Sequence, residues 1–179
     1  INALRALGVE VDAEARKRGS LTRWHLLGPV PWRDSSPSVD PPFVKSEVID
    51  VSQPVTLGDH HHEWGSYRSI EANGMLDLAS IHGHLADVAV YAFTRFTLPE
   101  AQDVVLHVGS NDGYTCWFNG REVGGYEGGR SYVPDQDALT VAGKAGANNV
   151  LLRITQHGSN WAFGVRVTRP DGEPISFDE

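Results

Sequence analysis

A chain of 179 residues with one cysteine, Cys116, fits a single domain of ordinary size that forms no internal disulfide. Its formal charge of −8, from 15 Lys plus Arg against 23 Asp plus Glu, argues against nucleic acid and anionic membrane as partners. A domain of this length buries roughly 70% of the surface of its unfolded chain, so the core needs no disulfide or metal staple.

Residues 1–19 differ in pattern from the rest. Ile1, Leu4 and Leu7 fall at helical spacing before Gly8, and Asp12 is placed to cap a second short helix, Ala13–Arg18, stopped by Gly19. The pattern is already under way at Ile1, so the chain reads as a fragment. Its first 19 residues are either the tail of a preceding helical domain or an N-terminal arm of this one. No apolar run approaches the ~18 residues of a membrane span, and no signal peptide is visible.

From Leu21 onward, short runs rich in Val, Ile, Thr and aromatic residues alternate with Gly, Pro, Asn and Asp clusters. Strands are expected at Thr22–Leu27, Val44–Val51, Gly65–Ile70, Val88–Thr97, Asp103–Val108, Tyr114–Phe118, Ala138–Val141, Asn149–Thr155 and Trp161–Thr168. Such spacing without interleaved helices indicates an all-β sandwich over residues 20–179. The proline-laden stretch Pro29–Pro42 is expected to be a loop. Ala89–Leu98 reads as a long central strand ended by Pro99, and Val104, Leu106 and Val108 as its neighbour's buried face. Asn119-Gly120 predicts a tight hairpin with a type I′ turn. Gly124–Arg130 reads as a mobile hairpin loop around Tyr126.

Several of these segments together are similar to a known group. They are Tyr91-Ala92-Phe93-Thr94, Leu106-His107-Val108-Gly109-Ser110-Asn111-Asp112-Gly113, Trp117-Phe118-Asn119-Gly120, Asn148-Asn149-Val150-Leu151-Leu152-Arg153-Ile154 and Trp161-Ala162-Phe163-Gly164-Val165-Arg166. The pattern resembles the galactose-binding-like jelly rolls that serve as accessory domains in β-galactosidase-type glycosidases and large multidomain bacterial proteins. The segment Trp24–Trp32 resembles their opening strand. The resemblance covers Leu21–Thr168 and implies a jelly-roll β-sandwich, a secreted (extracellular or periplasmic) location, and no cofactor beyond one structural calcium ion. Asn111 stands where Asp is commoner and Arg153 where Lys is commoner. Most matched residues form turns or core, so they report architecture more than ligand.

Residues that could carry chemistry are few. His60-His61-His62-Glu63 offers zinc ligands, but neighbours on an extended chain point to opposite faces, so an exposed polar loop is the first reading. His82 and His84 read as a polar edge or loop. Asn111-Asp112-Gly113 is first a turn, and otherwise a contact for a sugar hydroxyl or calcium. Cys116, in an apolar run, reads as a buried small hydrophobe. Trp117 and Trp161 read as core. Trp32, Trp64 and Tyr126 sit in loop-like segments, where a ring can stack on the apolar face of a sugar. There is no Gly-x-Ser-x-Gly elbow, no His-Glu-x-x-His and no phosphate loop.

These features favour a non-catalytic carbohydrate-binding module for a polysaccharide or glycan, with Trp64, Tyr67, Arg68, Asn111, Tyr126 and His157 as ligand-binding residues. The alternative is a structural or protein-interaction module contacting neighbouring domains of the same chain. A metal-dependent hydrolase built on the histidine run comes third. One consequence is independent of the choice. Eight histidines with an ordinary pKa of about 6.5 would together cancel the formal charge of −8. Solubility is therefore expected to be poorest near about pH 5 to 5.5, beside the sequence pI of 5.4, in a precipitation series from pH 4 to 8.

Overall fold

The computed structural model describes residues 13–32 and 40–179. The strands form a six-stranded sheet of order β4-β1-β6-β11-β8-β9, a four-stranded sheet of order β10-β7-β12-β5, and a separate hairpin, β2-β3. They run β1 Arg23–Pro31, β2 Val55–Leu57, β3 His60–His62, β4 Gly65–Arg68, β5 Leu76–Asp77, β6 Val88–Leu98, β7 Gln102–Asn111, β8 Tyr114–Phe118, β9 Arg121–Tyr126, β10 Asp137–Gly143, β11 Gly146–Gln156 and β12 Ala162–Thr168. Every pairing is antiparallel, and the two larger sheets pack face to face as the all-β sandwich expected from the sequence. One short helix, α1 (Leu78–His82), follows β5 and is capped by the Asp77 side chain.

Period-two alternation assigns the faces. Val90, Ala92, Cys116, Leu152 and Ile154 point into the inner core and meet Leu106, Val108, Phe163 and Val165 of the opposite sheet. Tyr91, Phe93, Trp117 and Leu151, one position along, point outward into a second core with Leu27, Val44 and Ile49. The six-stranded sheet is therefore buried on both faces. That is why β6 and β11 read as nearly continuous apolar runs, while β7, with one buried face, alternates. Cys116 lies in the inner core, where burial pushes its thiol up to about 12.

Five expectations need correction. Val44–Val51 is not a strand: Pro42–Lys45 is a 3-10 turn, and the rest is a covering segment. Its backbone is satisfied locally, Ser46 Oγ donating to the Val48 carbonyl and Asp50 accepting from the Ser52 N–H. Its apolar residues cover the sheet rather than belong to one. Pro29–Pro42 is not all loop: β1 continues to Pro31 through a register shift between Leu27 and Val30, where β4 no longer pairs with it and proline is tolerated. Gly124 and Gly125 belong to β9. A Cβ at Gly125 would stand 2.5 Å from the Tyr114 carbonyl oxygen, so close approach explains that glycine. The histidine run is strand β3, not loop, joined to β2 through Gly58-Asp59, and His82 ends α1.

The tight hairpin is found as expected, with Asn119 at φ 49° and Gly120 at φ 77°. Residues 13–17 are helical, and Ala15 is fully buried. The expected helix at Ile1–Gly8 and the Asp12 cap lie outside the described residues. Among the described residues no helix is long and apolar enough to cross a membrane.

The motif asparagines act as a clasp. Buried Asn148 donates to the Lys144 and Gly146 carbonyls and accepts from the Lys144 N–H and from Asn119 Nδ2. Asn119 Oδ1 in turn accepts from the Asn149 N–H, tying the β8-β9 hairpin to the β10-β11 turn. Replacing Asn148 with Ala strands buried donors and acceptors, each costing about 1–3 kcal/mol. Thermal unfolding of Asn148→Ala should therefore show a Tm lower by several degrees.

Candidate functional site

One rung crosses the outer face of the six-stranded sheet: Leu27 on β1, Tyr91 on β6, Arg153 on β11, Thr115 on β8 and Gly125 on β9. A guanidinium in this apolar layer must be paired. Arg153 Nη1 donates to Asp40 Oδ1, and Nη2 donates to Thr115 Oγ1 at 2.9 Å. The guanidinium carbon lies 4.0 Å from the Trp32 ring centroid and 5.6 Å from that of Trp117. The Tyr91 hydroxyl also donates to Asp40 Oδ1, at 3.2 Å. Burial, then the Asp40 charge, raises the Tyr91 phenol pKa, so it stays a donor.

Two cavities flank Trp32. The larger, about 770 Å³, is lined by Pro29–Trp32, Asp40–Pro42, Tyr91, and Thr56, Leu57, His60 and His62 of the β2-β3 hairpin. The smaller, about 160 Å³, is lined by Trp32, Tyr114, Thr115, Tyr126, Glu127, Gly128, Arg153 and Thr155. Tyr126 is 38% exposed, and the Arg130 guanidinium backs its ring at 4.2 Å. Arg130 is itself held by Asp137 at 2.6 Å and by Ser110 Oγ. Trp32 and Tyr126 thus each rest on a guanidinium that is fixed by other partners. Hydroxyl, carboxylate and imidazole groups lie beside the two rings.

The six expected ligand-binding residues are dispersed. Tyr126 lies in the groove, and Asn111 lines a separate cavity on the other sheet. Trp64 packs edge-on against Phe43 and Phe93 in the outer core. Tyr67 leans on the inner core beside His82, and Arg68 is exposed on β4. His157 is exposed, and its backbone N–H donates to Asp112 Oδ2 at 2.8 Å. Asp112 Oδ1 accepts the Arg130 N–H, so the Asn111-Asp112-Gly113 turn knits two loops together.

Sequence reasoning missed the roles of Asp40, Tyr91 and Thr115. Arg153 was visible as a charge inside the apolar run Val150–Ile154, a sign that something on its face must pair with it. His60 and His62 face the larger cavity, while His61 faces away and meets Thr56 Oγ1 at 2.9 Å. Among the described residues, no three His, Cys, Asp or Glu side chains are placed to hold a metal ion.

No protein-family model matches the chain, and no curated protein matches it. Among solved structures it is similar to a β-glucuronidase of an uncultured Clostridium species, at 10% identity and a TM-score of 0.43. The match covers 82% of this chain and 28% of that one. A likeness this distant carries no argument about function.

Burial lowers the pKa of His25, His82 and His107 below the ordinary 6.5, with the Arg166 charge adding to the effect at His107. The charge cancellation expected from eight ordinary histidines therefore comes at lower pH. For these three, the unfolded chain takes up a proton first as pH falls. Their stabilisation is complete above the unfolded pKa and is lost as pH falls through the folded values. Tm should thus drop between pH 7.5 and pH 5.5, and His82→Gln should shrink the drop, as followed by circular dichroism.

Proposed function

We propose that the protein is a non-catalytic carbohydrate-binding module that takes a polysaccharide or glycan along the Trp32–Tyr126 groove. One observation carries this reading: two aromatic rings, each backed by a fixed guanidinium, flank adjoining cavities rimmed by polar groups. A sugar presents an apolar face for a ring and hydroxyls around its edge. Asp40, Glu127, His60 and His62 supply acceptors and donors for those hydroxyls. The galactose-binding-like jelly-roll resemblance supports the same reading and adds an extracellular or periplasmic setting within a larger chain. Neighbouring domains would then supply any catalysis.

Glycan-array screening followed by calorimetry tests the function directly. At least one neutral or acidic glycan should bind with micromolar to millimolar affinity, and silence across the array at millimolar concentration would sink the reading. Trp32→Ala and Tyr126→Ala should each weaken that binding about tenfold, ~1.4 kcal/mol, with thermal melting confirming that the variants remain folded.

A further inference from the structure

The two cavities that flank Trp32 lie toward opposite edges of the six-stranded sheet. The larger is lined by Pro29–Pro31 of β1 and Tyr91 of β6, and the smaller by Thr115 of β8 and Tyr126 of β9. Between these pairs runs β11, whose Arg153 guanidinium lies 4.0 Å from the Trp32 ring centroid. The line from one cavity to the other therefore crosses the strands instead of following them. Trp32 lines both cavities, so a ligand that outgrows one of them must pass over this ring to enter the other.

The rung beneath the groove sets its length. Tyr91, Arg153, Thr115 and Gly125 stand side by side on β6, β11, β8 and β9. Neighbouring strands lie about 4.8 Å apart, so the three spacings from β6 to β9 span roughly 14 Å. A pyranose in an extended glycan advances the chain by close to one such spacing. About three consecutive residues therefore fill the distance. Each position offers groups that a ligand can reach. Asp59 and His60 are exposed at the larger cavity, Trp32 is half-buried in the middle, and Tyr126 and Glu127 are exposed at the smaller.

We propose that the groove binds a linear oligosaccharide segment laid across the strands, with about three consecutive sugar residues: one in the larger cavity, one on Trp32 and one in the smaller cavity beside Tyr126. This rests on the glycan reading and narrows it, because a site for a single terminal sugar needs only one of the two cavities. Neutral probes suit the groove. Among the described residues that line it, Arg153 is spent on Asp40, and an acidic chain would meet the exposed carboxylates of Asp59 and Glu127.

Calorimetry with neutral xylo-, cello- and manno-oligosaccharides of one to six residues reads the length directly. In at least one series, affinity should rise about tenfold with each residue up to the third and then level off. Tyr126→Ala should erase the gain from the third residue, so that disaccharide and trisaccharide bind alike, with thermal melting showing that the variant is folded. Equal affinity from monosaccharide to hexasaccharide would overturn the proposal. If Trp32→Ala still weakened that binding, the glycan reading of the groove would stand without it. A third-residue gain that survives in folded Tyr126→Ala would also overturn the proposal, as would a rise that continues evenly to six residues. No binding by any of the three series overturns it too, and the glycan array, which presents terminal and branched sugars as well, then decides the groove reading separately.

Discussion

A single guanidinium organises the outer half of this molecule. Arg153 projects from β11, near the middle of the six-stranded sheet, into a layer that is largely apolar. A charge there needs a countercharge and hydrogen bonds, and Arg153 receives them at its two terminal nitrogens, while its Nε is buried with no partner. Thr115 comes from the neighbouring strand, and Trp32 and Trp117 stack on the guanidinium. Asp40 comes from the segment that returns over the sheet. This ion pair fixes where that segment lands. On one side of it, the Phe43–Trp64 segment closes the outer core; on the other, the face opens as the groove. Arg153 is thus both the seam of the covering layer and the support of the Trp32 ring.

Burial on both faces explains the rest of the architecture. The inner core pins the six-stranded sheet to the four-stranded one, and the outer core pins the β2-β3 hairpin and the 3-10 turn to its back. The side chains that line the groove are then carried on strands or on segments clamped to them. Tyr126 is held by Arg130, whose own partners, Ser110 and Asp137, belong to β7 and β10 of the opposite sheet. Both sheets thus help to position the groove.

The long strands were legible because alternation or a continuous apolar run persists in them for ten residues or so, as in β6, β7 and β11. The Asn119-Gly120 hairpin was legible because few other pairs tolerate two positive φ angles. The short strands β2, β3 and β5 carry two or three residues each, too few to show a period. Val44–Val51 misled because residues covering a sheet from outside are as apolar as residues within one. For the site, Tyr126 and Asn111 were picked as polar or aromatic groups near turns, and both line cavities. Trp64 and Tyr67 look identical in sequence, yet packing turns them into the outer and inner cores. Asp40 carried no local signal at all, since its partner lies 113 residues away.

The Trp32–Tyr126 groove is proposed as a glycan-binding surface, and a crystal structure of the protein soaked with the oligosaccharide that binds it best is the test. A sugar ring should stack on Trp32 or Tyr126, with hydroxyls reaching Glu127 or Asp40. A fully occupied oligosaccharide that leaves both rings untouched and binds elsewhere on the molecule would contradict it.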